Sequence, residues 1–128
     1  MTTRYIALVL AAFVLAGCKD YEGSYSPGCI TFAGSNVRLA EGRFTWEKFT
    51  DQVIVGSDGK VVDQFPDYPK HGSYSIKGDT VYLVSDAGES MPDLHVLSLG
   101  GESYLLTAQQ FESWQKTGQQ DVCALMRD

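Results

Sequence analysis

The stretch Gly72–Ser85, GSYSIKGDTVYLVS, decides how the rest of the chain is read. Gly72 to Lys77 and Thr80 to Ser85 are each short and rich in β-branched or aromatic residues, with Tyr74 and Ile76 alternating with polar neighbours. That period of two is a strand's, and the intervening Gly78-Asp79 pair is a two-residue hairpin turn. Working outward from it, the same grammar repeats. Leu94 to Leu99 and Ser103 to Leu106 flank Gly100-Gly101 as another hairpin. On the N-terminal side Cys29 to Ala33, Val37 to Leu39 and Gly42 to Phe49 read as strands, with Phe44 and Trp46 alternating with Thr45 and Glu47 in the last. Gln52 to Val55 and Lys60 to Phe65 flank the turn Gly56-Ser57-Asp58-Gly59. Pro66-Asp67-Tyr68-Pro69 interrupts pairing, because each proline lacks a ladder donor.

The pattern changes at Thr107-Ala108-Gln109-Gln110, a capping box. Phe111 and Trp114 share a helical face and Gly118 suits the residue after the C-cap, so one helix is expected at about residues 108–117. Asp121 to Met126 reads as a last strand that carries Cys123 back towards the first. The expected fold is mainly β: an antiparallel meander of seven or eight strands closing into a small barrel or rolled sheet, plus one short C-terminal helix.

The chain has 128 residues, with 10 Lys+Arg against 16 Asp+Glu. One small domain fits that length. The negative balance, with no Lys/Arg cluster, argues against nucleic acid, and 15 aromatic residues argue against disorder.

The front end is different. Arg4 supplies a positive start, Ile6 to Leu15 is an unbroken apolar run, and Ala16-Gly17 precede Cys18, the layout of a secretory signal. The uncharged run is too short to span a membrane. Leu15-Ala16-Gly17-Cys18 resembles the lipobox of bacterial lipoproteins. The resemblance implies cleavage before Cys18, a diacylglyceryl thioether on its sulfur and an acylated amine, so the membrane would be a partner through acyl chains. Lys19, where an aspartate would favour inner-membrane retention, points to the outer membrane, facing the periplasm. The chain then divides into a signal peptide at 1–17, a lipidated tether at 18–28 and a barrel-like domain at 29–128.

With Cys18 lipidated, Cys29 and Cys123 remain as an even pair in an oxidising compartment, and a structural disulfide is the expectation. The alternative is a reactive or metal-binding pair, which neither a CxxC spacing nor nearby histidines support.

Chemistry-bearing motifs are scarce. There is no G-x-S-x-G elbow and no H-E-x-x-H. His95 lies in an alternating strand whose face it shares with Leu97 and Leu99, and His71 sits in the proline-bounded loop; neither has a metal-ligand spacing. Asp58 and Asp63 lack the EF-hand series. No cofactor and no catalytic residue are expected. Phe44, Trp46, Phe65, Tyr68, Tyr74 and Tyr82 concentrate in one part of the chain. They read as core filling, as the lining of an apolar pocket inside the barrel, or as a partner-facing patch around Phe65, Tyr68 and His71.

In shape the domain is similar to the small lipocalin-like barrels of bacterial envelope lipoproteins. The resulting expectation is a non-catalytic, lipid-anchored envelope lipoprotein that binds an envelope protein or a small apolar ligand. Rival readings are a periplasmic inhibitor of a lysozyme-like enzyme, since the size, address and disulfide-bridged barrel resemble such inhibitors and acidity would face a basic enzyme, although their loop motif is absent, and a small envelope hydrolase using His71 or His95.

Overall fold

The hairpins that alternation implies leave each strand with one apolar face, and that face must be buried against others like it. In a computed structural model that describes residues 21–128, this is achieved by closure. The eight strands β1 (Gly23–Pro27), β2 (Ala33–Ala40), β3 (Arg43–Thr50), β4 (Lys70–Lys77), β5 (Thr80–Ser85), β6 (Leu94–Leu99), β7 (Glu102–Leu106) and β8 (Leu125–Arg127) form a closed antiparallel barrel in sequence order. A helix, α1 (Ala108–Thr117), separates β7 from β8. The signal sequence, the lipobox and Cys18 lie outside the described residues.

The β4–β5 hairpin is the one read first from sequence, paired from Gly72↔Ser85 to Lys77↔Thr80. Gly78 has φ +64°, which glycine adopts at no steric cost as the first central residue of the turn. Inward positions on successive strands interdigitate: Tyr25, Val37, Leu39, Phe44, Val81, Leu94 and Leu105 are all essentially inaccessible to solvent. Trp46, Tyr74, Ile76, Met91 and Leu125 pack against this set from nearer the barrel ends. The interior is therefore occupied by the protein's own side chains. Gly72 shows how tightly, since a Cβ there would lie 1.9 Å from the Val84 carbonyl oxygen and 2.4 Å from Phe44 Cε1.

Closure brings the two ends of the domain together. Tyr25↔Arg127 and Pro27↔Leu125 pair β1 with β8, and Leu105↔Leu125 pairs β8 with β7. Next to this seam the Cys29–Cys123 disulfide joins residues 94 apart in sequence, with Cα atoms separated by 4.7 Å.

Four expectations are corrected. The tether at 18–28 does not stop short of the fold: Gly23–Pro27 is β1, held because Tyr25 points inward and donates its hydroxyl to the Tyr21 carbonyl at 2.7 Å. Cys29 to Phe32 is not a strand but a turn beside the disulfide, where Thr31 Oγ1 donates to the Ala33 carbonyl. The segments flanking Asp58-Gly59 make only a Val55–Val61 bridge, because nothing covers their apolar face. Residues 121–124 form a turn on the Asp121 carboxylate, so the final strand begins at Leu125.

Candidate functional site

The barrel has two distinguishable ends. The chain enters at Tyr21–Gly23, at the end that also carries the turns after Ala40, Lys77 and Leu99. At the far end, β1 leaves through Pro27, β3 leaves through Thr50, and β8 begins.

Three segments meet at the far end. Residues 28–32 are fastened to 121–124 by the disulfide and by the Gly28 N–H to Ala124 carbonyl bond of 3.0 Å. The loop after β3 is tied to the same place, since the Asp51 N–H donates to the Phe32 carbonyl at 2.8 Å. This loop folds back on itself through Val62 N–H to Ile54 carbonyl and Gln64 Nε2 to Gln52 carbonyl bonds. Backbone and disulfide thus hold these segments in place, yet their side chains are turned outward. Ile30 (99% exposed), Phe32 (71%) and Val122 (76%) flank the disulfide, and Val53, Ile54, Val55, Val61 and Val62 line the loop, all between 43% and 70% exposed. Scattered apolar residues are normal on a surface, but eight on three adjoining segments make a patch. The loop 51–67 carries Asp51, Asp58, Asp63 and Asp67 against a single Lys60, so this part of the patch is acidic.

The residues singled out from sequence sit beside this patch without forming one surface. Phe65 and Tyr68 are half-buried and joined by a turn in which the Tyr68 N–H donates to the Phe65 carbonyl at 3.0 Å. The Tyr68–Pro69 peptide is cis. Tyr68 lies beneath two ammonium groups, Lys48 Nζ at 4.8 Å and Lys70 Nζ at 5.1 Å from its ring centroid. Lys48 and Lys70 share the strand faces of Trp46 and Gly72, so the Tyr68 ring sits by the far ends of β3 and β4. Glu89 pairs with Lys70, and the hydrogen bond to that carboxylate raises the Lys70 pKa above its ordinary value. His71 faces the other way, exposed, with Nδ1 3.4 Å from Thr45 Oγ1. On β3, the buried Trp46 Nε1 has no hydrogen-bond partner among the described residues. On the flank of the barrel, Arg43 and Asp86 form an ion pair with Nη1–Oδ1 at 3.0 Å, and the hydrogen bond from Arg43 holds the Asp86 carboxyl below the usual carboxylate range.

A second feature lies on the outer wall of the barrel. The helix α1 packs on the outer wall of β6 and β7, where Phe111 and Trp114 meet Leu97, Leu106 and Ala124. His95 is on that wall and stacks on Phe111, ring centroids 4.6 Å apart and planes 7° apart. Between helix, wall and the β4–β5 turn runs a groove of about 790 Å³.

Of the aromatics noted in sequence, Phe44 is core, Trp46 and Tyr74 pack against it, and Tyr82 points outward from β5. The expectations missed the apolar end patch. Its signal is present as Val53-Ile54-Val55 and Val61-Val62, but in sequence those runs read as the two strands of a hairpin. Among the described residues there is no group of three or more His, Cys, Asp or Glu placed to hold a metal ion, and no helix is long and apolar enough to cross a membrane. Compared with protein-family models, curated proteins and solved structures, the chain finds no match.

Proposed function

We propose that this protein is a lipid-anchored lipoprotein of the bacterial envelope which acts without catalysis, by docking a protein partner on the far end of its barrel. The observation that carries the reading is the exposed apolar patch of Ile30, Phe32, Val122 and the 53–62 loop, held on a rigid end by a disulfide and backbone bonds. The filled interior supports a partner over an apolar ligand inside the barrel, because the volume a ligand would need is taken by Tyr25, Leu39, Phe44 and Leu94.

Geometry supports the anchored arrangement. Tyr21, three residues after Cys18 in the sequence, is at the entry end. Acyl chains there would set the barrel on the bilayer with the patch about 20 Å further out, the height of a tilted eight-residue strand. The acidic loop selects a partner whose contact surface combines apolar with basic residues.

Site-specific photocrosslinking in cells tests this. A photoreactive residue at Val61 should give a discrete protein adduct that Val53→Ser and Val55→Ser abolish, whereas one at Thr45 on the outer wall should give none. Equal adducts at both positions, or none at Val61, would remove the docking reading. The mass of the membrane-extracted protein checks the anchor: Cys18 should carry the diacylglyceryl mass, and a free thiol there refutes lipidation.

A further inference from the structure

The groove at the entry end has no part in the docking reading. It exists because β6 outruns its neighbour. The β5–β6 ladder covers only Thr80↔His95 and Val81↔Leu94, extended by the Val96 N–H to Asp79 carbonyl bond of 2.7 Å. Beyond that point β6 is paired with β7 alone, and an open seam is left between the β4–β5 turn and the β6–β7 hairpin. Backbone groups of alternate residues point to the same side of a strand, so the peptide groups of Ser98, two after Val96, are directed to this seam.

The two sides of the groove differ in chemistry. One side is a run of half-buried rings, His95 on Phe111 and then Phe111 on Trp114, whose centroids are 6.1 Å apart with planes 27° apart. The other, reached round the free edge of β6, carries hydroxyls and a carboxylate: Ser98 and Ser103, register partners on the strand face of Val96 and Leu105, and Asp79, whose Oδ1 accepts from Tyr21 at 2.7 Å. A ligand matching both needs an apolar face to lie against rings and several hydroxyls at its edge. A fatty chain would leave the hydroxyl side unmatched, and a small anion would meet Asp79. A saccharide meets both demands, since a pyranose ring presents C–H faces and equatorial hydroxyls. The groove's size, about 790 Å³, lies within the range of small-molecule sites and admits a disaccharide.

We propose that the groove between α1 and the β6–β7 hairpin is a saccharide-binding site, with the His95, Phe111 and Trp114 rings stacking on sugar faces and Asp79, Ser98 and Ser103 bonding sugar hydroxyls. None of the patch residues lines it, so it stands or falls independently of partner docking.

The chain contains two tryptophans, Trp46 and Trp114, and gives two indole N–H resonances. The full chain, in a detergent without a sugar headgroup, is titrated with cellobiose, whose rings have flat faces. The Trp114 resonance should move saturably by about 10 mM sugar while Trp46 stays fixed, and mannitol, which has hydroxyls but no ring, should move neither. The double variant Ser98→Ala/Ser103→Ala leaves the buried core untouched and should weaken binding at least about fivefold, the loss of one or two hydrogen bonds. An unmoved Trp114 resonance, an equal response to mannitol, or an unchanged affinity in the serine variant would each overturn the proposal.

Discussion

Single residues carry much of the barrel's specification. Gly72 is the clearest, because the Val84 carbonyl and the Phe44 ring occupy the space of any side chain. Gly72→Ala should cost at least about 3 kcal/mol in urea denaturation, as the β4–β5 ladder or the Phe44 rotamer must shift; a loss below about 1 kcal/mol would show that the wall yields easily. Asp86 sets a pH dependence. Its carboxyl is held below the ordinary range by the Arg43 hydrogen bond, so the folded state binds protons less readily than the unfolded state. The stabilisation is therefore present above about pH 4 and is lost as pH falls through the lowered value. Arg43 stays charged throughout that window. Both groups are about half exposed, so the effect is small. Its signature is a smaller drop in melting temperature from pH 6 to pH 3 in Asp86→Asn than in the parent.

Among the elements, α1 is the most self-contained. Thr107 Oγ1 accepts from the Gln110 N–H at 3.2 Å and Gln110 Oε1 accepts from the Thr107 N–H at 3.0 Å, closing the capping box, while Gly118 ends the helix in the left-handed region. Thr107→Ala should lower stability by about 1 kcal/mol, measured by chemical denaturation. Trp114→Ala should cost about 2 kcal/mol, less than a core tryptophan would, because Trp114 lies on the outer wall and is only half-buried. This helix was legible in the sequence to the residue, as were β5 and β6, since caps, two-residue turns and strict alternation are local signals. The one strand that was missed, β1, lacks such signals. In β1, GSYSP, Tyr25 alone points into the core, and the flanking glycine, serines and proline read as linker; what makes it a strand is pairing with Val37–Leu39 and Leu125–Arg127, far off in sequence. The opposite error befell residues 52–65. Their apolar content implies a buried hairpin, but burial needs a neighbour, and at the far end there is none.

For the molecule as a whole, closure and the disulfide act together. Linking Cys29 to Cys123 restricts the unfolded chain over a loop of 94 residues, worth about 4–5 kcal/mol in chain-entropy models. Reduction should therefore lower the melting temperature by more than about 10 °C. An unchanged melt after full reduction, checked by thiol labelling, would mean that the β1–β8 ladder alone holds the seam. The candidate docking surface was hidden from sequence because it depends on three separate segments meeting at one barrel end. The candidate groove depends on a stagger between β5 and β6 that composition does not encode.

The pairing of Tyr25 with Arg127 has one more consequence, for biogenesis. Until the segment around Arg127 has been synthesised, β1 and β7 both present open flanks, and a product cut short before Leu125 keeps them open. Such an intermediate is a template for cross-chain pairing, so quality control of this protein must act on the interval between the first strand's arrival and the eighth's.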